Sequence, residues 1–254
     1  MELPLISIIT PSFNQAKWLE STIQSVLAQT YKNIEYIIID GGSTDGSKQI
    51  IEKYSHQLKY WQSQPDQGQA NALNIGFKHC KGVLVAYLNA DDLLEPNAVE
   101  GILNAYSVNQ GYSIYYGKCK TIDENGILLH EAEGSQIRYQ EVVKNGMLPN
   151  IFQPACFFNV AFLFREKFVD ENYKFAFDFE LILHLLSTRL VFFLNRDIAS
   201  YRVHNGSKSN LFKVDAFKEK LTIQEKYSKK DFLLFKWRRI KLAIAQKIGK
   251  ISNG

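Results

Sequence analysis

Four aspartates in this chain stand where carboxylates can do chemistry. Asp91 and Asp92 follow the apolar run Val83-Leu84-Val85-Ala86-Tyr87-Leu88, Asp40 closes Glu35-Tyr36-Ile37-Ile38-Ile39, and Asp178 opens a helical apolar stretch through Phe179, Ile182, Leu183 and Leu186. Pro11-Ser12-Phe13-Asn14 follows a further run, Leu5-Ile6-Ser7-Ile8-Ile9. In open parallel α/β sheets, ligands bind beyond the carboxyl ends of the strands, so three such ends would gather these groups in one cleft. Adjacent acids repel and normally need a cation. Hard oxygen ligands suit Mg²⁺ or Mn²⁺, which bridge one or two carboxylates to substrate phosphates, so a diphosphate substrate is the simplest inference. From residue types alone, Asp91-Asp92 before Pro96 reads equally well as turn and helix-capping chemistry.

The elements that must position these acids alternate. Strands are expected at residues 5–9, 35–40, 58–62 and 83–88. Helices are expected around Leu19, Ile23, Val26 and Leu27, around Ile50, Ile51 and Tyr54, over 69–79, and from Pro96 to about Asn109. Continuous rather than alternating apolar strands belong to parallel sheets covered on both faces, and β-α-β-α repetition predicts a doubly wound layer. After residue 112 the pattern changes to a meander of 113–116, 118–122 and 127–130, turning at Glu124-Asn125-Gly126. Strands at 191–194 and 199–203 and one or two Lys-rich helices from Asp215 complete the reading. The expected division is a nucleotide-binding half (1–110), an acceptor and catalytic-base half (111–210) and a basic helical tail (211–254).

Composition bounds the class. With 254 residues, 46% hydrophobic and 22% charged, the chain can bury a core without disulfides and is neither disordered nor a bundle of spanning helices. Cys80, Cys119 and Cys156 are odd in number and widely spaced, which predicts packing residues in a reducing compartment. The start, Met1-Glu2-Leu3-Pro4-Leu5, lacks the pattern of a secretory signal. The formal charge of +4 is uneven: residues 213–254 hold 12 Lys+Arg against 4 Asp+Glu, which leaves −4 on residues 1–212. That distribution argues against a nucleic-acid partner. In the tail, Phe232, Leu233, Phe235, Trp237, Ile240 and Ile244 interleave with Lys236, Arg238, Arg239 and Lys241. Such a segment reads either as an interfacial helix on an anionic membrane or as a helix packed on its own domain or a partner chain. The expected localisation is cytoplasmic, peripheral on the inner face of the membrane in the first case.

Four motifs in order, Ile8-Ile9-Thr10-Pro11-Ser12-Phe13-Asn14, Ser25-Val26-Leu27-Ala28-Gln29-Thr30-Tyr31, Ile39-Asp40-Gly41-Gly42-Ser43-Thr44-Asp45-Gly46-Ser47 and Leu88-Asn89-Ala90-Asp91-Asp92, resemble the family 2 glycosyltransferases. Tyr60-Trp61-Gln62-Ser63-Gln64-Pro65-Asp66-Gln67-Gly68 is similar to one branch of that family. Phe177-Asp178-Phe179-Glu180-Leu181 and Tyr201-Arg202-Val203-His204 resemble its later motifs more loosely.

The resemblance implies a GT-A fold: a Rossmann-like, mostly parallel sheet with helices on both faces, plus a mixed acceptor-side half and C-terminal helices. It implies inverting, metal-assisted transfer of a single sugar from a nucleoside-diphosphate sugar to a glycan or lipid-linked acceptor, in cell-surface polysaccharide synthesis. Thr10, Pro11, Ser12 and Asn14 would line the nucleotide pocket, Asp40 would meet base or ribose, and Asp66 would lie near the nucleotide edge. Asp91 would serve ribose or metal, Asp92 would be the direct metal ligand, His204 would complete the metal or diphosphate site, and Asp178 would be the base. The sequence departs from the family at Gly41, where a second acid is common, and at Phe177, which leaves Glu180 as a rival base. A membrane-surface protein that kept the fold and lost turnover, and a sugar-nucleotide pyrophosphorylase, remain as alternatives. The second would need a glycine-rich turn after the first strand, where this chain has Thr10-Pro11-Ser12-Phe13.

Overall fold

The computed structural model describes residues 3–145, 151–166, 169–207, 211–228 and 240. The tail residues 229–239 and 241–254, on which the membrane reading rests, lie outside them.

The first half is built as four β-strands with helices between them: β1 (Ile6–Ser12), α1 (Ala16–Leu27), β2 (Ile34–Asp40), α2 (Ser47–Tyr54), β3 (Tyr60–Ser63), α3 (Gln69–Phe77) and β4 (Leu84–Tyr87). They stand in the order β3-β2-β1-β4, all parallel. Alternate side chains of the same strands enter opposite layers, which is why the runs are apolar throughout. Ile9, Ile37, Ile39, Val85 and Tyr87 pack with Leu73 and Phe77 of α3. Ile6, Ile8, Tyr36, Ile38 and Leu84 pack with Leu19, Ile23 and Val26 of α1 and Ile51 of α2. Because α3 lies on the face opposite α1 and α2, the winding reverses between β1 and β4, and a crevice opens at their carboxyl ends.

The second half continues the same sheet. After the two-residue β5 (Leu93–Leu94) and α4 (Ala98–Val108) come β6 (Ile114–Ile122), β7 (Leu128–Glu131), α5 (Tyr139–Asn145), β8 (Cys156–Asn159), α6 (Val160–Glu166), α7 (Phe177–Thr188), β9 (Val191–Arg202) and α8 (Lys213–Tyr227). Beyond β4 the order is β8-β6-β9-β5, with β8 antiparallel to β4 and β6, β9 parallel to β6, and β7 attached to β6 as a hairpin. The expected three-stranded meander is corrected here. Residues 114–116 and 118–122 fall on the single strand β6, and 191–194 and 199–202 fall on the single strand β9.

The interruption read from the sequence is a register shift between β6 and β9 at Gly117 and Lys118. A Cβ on Gly117 would stand 2.5 Å from the Arg196 carbonyl oxygen and 2.5 Å from Ile198 Cγ1, so only glycine lets β9 cross at this irregularity. The first helix of the basic segment, α8, packs on the rest of the chain: Leu221 and Ile223 are buried and Gln224 Nε2 donates to the Val143 carbonyl at 3.0 Å. The three cysteines are unbridged thiols, and Cys119 and Cys156 are buried. Among the described residues, no helix is long and apolar enough to cross a membrane. Gly117→Ala is expected to lower stability by about 1–3 kcal/mol through overpacking, read from urea unfolding followed by circular dichroism.

Candidate active site

The turn after β2 clasps the turn after β1. Asn14, with φ 52°, takes the left-handed conformation that asparagine tolerates. Its Oδ1 accepts the Thr44 N–H at 3.0 Å and its own N–H donates to Ser43 Oγ at 2.7 Å. The first amides of α1 are satisfied the same way: Gln15 N–H donates to Ser47 Oγ at 3.0 Å and Ala16 N–H to Asp45 Oδ2 at 2.9 Å. The Ser43-Thr44-Asp45-Gly46-Ser47 motif thus caps a helix that carries no cap of its own, a borrowed solution to four unpaired amides. Pro11 is buried on β1 opposite Ile39. Thr10 is buried against the Tyr36 hydroxyl at 2.8 Å, on the side of the sheet away from α3. Ser12 ends β1, is only 4% exposed, and its Oγ has no hydrogen-bond partner.

Asp40 lies buried inside the β2 turn. Its Oδ2 accepts the Ser43 N–H at 2.9 Å, the Gly42 N–H at 3.2 Å and the Ser63 hydroxyl at 2.7 Å, and its Oδ1 accepts the Ser43 hydroxyl. Four donors and complete burial engage this carboxylate in holding the turn. Asp66 is half-exposed. Its Oδ1 accepts the Gly68 N–H at 2.7 Å, ahead of α3.

The two acids after β4 separate by environment. Asp92 is fully buried, with Oδ1 on the Arg202 N–H at 2.9 Å and Oδ2 on the Asn89 amide at 3.1 Å. Burial, reinforced by the neighbouring Asp91 charge, pushes the Asp92 carboxyl well above the ordinary range. Asp91 reaches the cleft instead, and its Oδ2 meets His204 Nε2 at 3.0 Å. The expectation that Asp92 is the better direct ligand is at odds with this geometry, because both of its oxygens are already bonded inside the protein.

Strand pairing brings these residues together across more than a hundred positions. β5 lies antiparallel to the end of β9, with Leu93 opposite Ser200. The adjoining Arg202 sends its Nε to the Asp91 carbonyl at 2.8 Å and Nη1 to the carbonyls of Asp123 (3.1 Å) and Glu124 (3.3 Å) in the β6–β7 turn. Sequence reasoning missed Trp18. Its ring lies 4.0 Å from the His204 ring, and its Nε1 donates to the Glu124 carbonyl at 3.1 Å. No local pattern links residues so far apart. Asn14, Gln15, Trp18, the 123–125 turn and Val203 to Gly206 enclose a polar cavity of about 470 Å³ beside this pair.

Asp178 is the second residue of α7, and the residue before the helix is Ala176, so Asp178 is not its N-cap. Its Oδ1 accepts the Phe179 N–H at 2.7 Å. Burial raises its pKa, and the positive charge of Lys220 on α8 opposes that rise. Glu180 is fully buried against α8, where Oε1 accepts the Tyr227 hydroxyl at 2.8 Å and Lys226 Nζ at 3.1 Å. Asp178 is half-buried and Glu180 is not reachable from the cleft. The chain leading into α7 is held by Glu219, whose carboxylate accepts three successive amides: Lys174 at 2.9 Å, Phe175 at 2.8 Å and Ala176 at 2.9 Å. Phe177, the departure from the family's acid, is buried and packs toward Tyr87 with ring centroids 6.5 Å apart.

The parallel half-sheet with helices on both faces, continued by a mixed half, is a GT-A fold, with a crevice at its strand ends that holds the Asp91–His204 pair. The family model for glycosyl transferase family 2 matches residues 7–169, and the chain belongs to that family. A glycosyltransferase of Rickettsia typhi is 31% identical over 218 residues, covering 82% of this chain and 66% of that protein. Chondroitin synthase of Escherichia coli is 29% identical over 219 residues, covering 85% of this chain and 31% of that one. The chain therefore spans less than two thirds of either relative. Among solved structures, S. aureus TarS (residues 1–349) with UDP-GlcNAc superposes at a TM-score of 0.69 with 17% identity, over 87% of this chain and 65% of that one. Mannosyltransferase PcManGT of Pyrobaculum calidifontis with GDP-Man and Mn²⁺ gives 0.67 with 14% identity, over 90% and 66%. Arg202→Lys is expected to cost about 2–3 kcal/mol, since a single ammonium cannot serve three carbonyls at the geometry of a planar fork. Urea unfolding at several protein concentrations checks it.

Proposed function

We propose that this chain transfers one sugar, with inversion, from a nucleoside-diphosphate sugar to a glycan or lipid-linked acceptor, assisted by a divalent cation. The observation that carries this reading is the Asp91–His204 pair at 3.0 Å, which follows β4 where the winding of the sheet reverses. Family membership and the nucleotide-sugar complexes of its structural neighbours support it.

Among the described residues, no three His, Cys, Asp or Glu side chains form a group able to hold a metal alone. That fits Mg²⁺ or Mn²⁺, which take one or two protein ligands and leave the remaining positions to water and substrate phosphates. Asp91 and His204 would hold it, with Asp92 and Arg202 fixing Asp91 from behind. When bound, such an ion stabilises negative charge on a departing diphosphate oxygen. Asp178 accepts the proton of the acceptor hydroxyl, and its raised pKa makes it a stronger base than an ordinary aspartate. Phe177 and Tyr87 exclude water on its inner side. Direct displacement needs no protein nucleophile.

The chondroitin synthase relative favours a role in cell-surface polysaccharide synthesis. The basic residues beyond 228 favour peripheral attachment to anionic lipid, with binding of the full chain to vesicles as the measurement.

A panel of nucleotide sugars with Mn²⁺, scored for donor hydrolysis and transfer, tests the reading as a whole. Neither binding nor turnover with any donor would remove it. Asp91→Asn is expected to abolish Mn²⁺-dependent stabilisation by nucleoside diphosphate in thermal unfolding, while Asp92→Asn keeps it and costs about 1 kcal/mol of stability. Asp178→Asn is expected to lower turnover at least about 100-fold with donor affinity unchanged. The base must be deprotonated, so kcat/KM falls as pH drops through the raised Asp178 pKa. Removing the opposing charge in Lys220→Met is expected to move that acid limb to higher pH.

A further inference from the structure

We infer that Glu171 is a positioning residue for Asp178: pinned to α3 by two asparagine amides, it fixes the base at a set span from the loop that carries Asp91. This rests on the reading of Asp178 as the base and goes further in naming what aligns it.

Glu171 stands in the segment 169–176 that leads into α7. Asp170 Oδ1 accepts the Asn172 N–H at 3.1 Å and the Asp170 carbonyl accepts the Tyr173 N–H at 3.2 Å, a turn that presents Glu171. Both oxygens of the Glu171 carboxylate are engaged by α3. Oε1 accepts Asn74 Nδ2 at 2.6 Å and Oε2 accepts Asn71 Nδ2 at 3.1 Å. The same Asn74 amide donates to the Val169 carbonyl at 3.0 Å. Helix residues three apart are neighbours on one face, so a single carboxylate can bridge them. Asparagine is a weak helix former, because its side chain competes for backbone partners. α3 nevertheless has two of them, and both turn their amides to this segment. Glu171 is exposed, where hydrogen bonds add little net stability, and Asn74 Oδ1 is left buried without a partner, which lowers it. What these bonds fix is position.

The start of α3 meets the loop after β4. Gln69, its first residue, donates Nε2 to Asn89 Oδ1 at 2.7 Å, and Asn89 Nδ2 donates to Asp92 Oδ2 at 3.1 Å. α3 therefore touches the loop of Asp91 and Asp92 at residue 69 and the approach to Asp178 at residues 71 and 74. At 1.5 Å per residue these contacts lie within about 8 Å along the helix axis. Glu219 fastens residues 174–176 to α8, and Glu171 fastens the same segment to α3, in the half that carries Asp91. A base acts only within hydrogen-bond reach of its proton, and a misplacement of about 1 Å can cost about 100-fold in rate.

Hydrolysis of a panel of nucleotide sugars by the full chain with Mn²⁺, where water stands in for the acceptor, tests this. Glu171→Ala is expected to lower kcat about 10–100-fold, with the affinity for the matching nucleoside diphosphate (titration calorimetry) and the melting temperature unchanged. Asn71→Ala combined with Asn74→Ala removes the same bonds from the helix side, where alanine favours the helix, and is expected to give the same fall in a folded protein. Joining all three substitutions is expected to add nothing further, because they delete one contact. Hydrogen exchange followed by mass spectrometry is expected to quicken over residues 174–179 in each variant. Wild-type kcat in Glu171→Ala or in the asparagine variant overturns the inference, and the base reading stands if Asp178→Asn is inactive in the same assay. Wild-type hydrolysis in Asp178→Asn overturns the base reading and the inference with it. Neither binding nor hydrolysis of any donor by the wild type overturns the transferase reading as well.

Discussion

The site depends on one buried cation finding its acceptors. Arg202 is 4% exposed, and its guanidinium meets the carbonyls of Asp91, Asp123 and Glu124 while its own amide meets the Asp92 carboxylate. An unpaired buried charge costs several kcal/mol, so these partners must assemble together or not at all. Three stretches of chain are thereby fixed against one another: the loop after β4, the β6–β7 turn and the exit of β9. The Asp91–His204 pair is a product of that convergence, and Trp18 closes it from α1 by packing on the histidine and bonding the same turn.

The acids divide between two uses. Asp40, Asp45, Asp92 and Glu219 spend their oxygens on backbone amides or nearby hydroxyls, where they hold turns and helix starts. Asp66, Asp91 and Asp178 are part-exposed. Asp40, Asp91 and Asp92 share residue type and a position after a strand, so the sequence alone does not separate them. Separation comes from which donors lie within hydrogen-bond distance, and those donors sit on other elements.

The legible parts of the fold share a cause. β1, β2 and β4 are continuous apolar runs, and each is buried on both faces, so composition alone identifies them. Their polar ends mark the crevice for the same reason, since a switch point follows from strand order. β6 and β9 were split in the reading because Gly117 and the polar Asn195-Arg196-Asp197 break the pattern where the two strands shift register. The packing of α8 was hidden by its many charges. Only Val214, Leu221, Ile223 and Gln224 are buried, and the helix is held as much by Glu219 and Tyr227 as by apolar contact. Trp18 and Arg202 act through partners about eighty to a hundred and ten positions away, beyond any local signal.

The grip of Glu219 on the three amides before α7 has a consequence for biosynthesis. The four parallel strands and their helices leave the ribosome together and contain much of their own core, so the first half can settle while the rest is still being made. The approach to Asp178 cannot, because the carboxylate that shapes it arrives on α8, after every strand of the sheet. The order of synthesis thus builds the parallel strands first and fixes the entry to α7 last, and a chain interrupted before residue 213 keeps the sheet's strands and loses the clamp on the residues before Asp178.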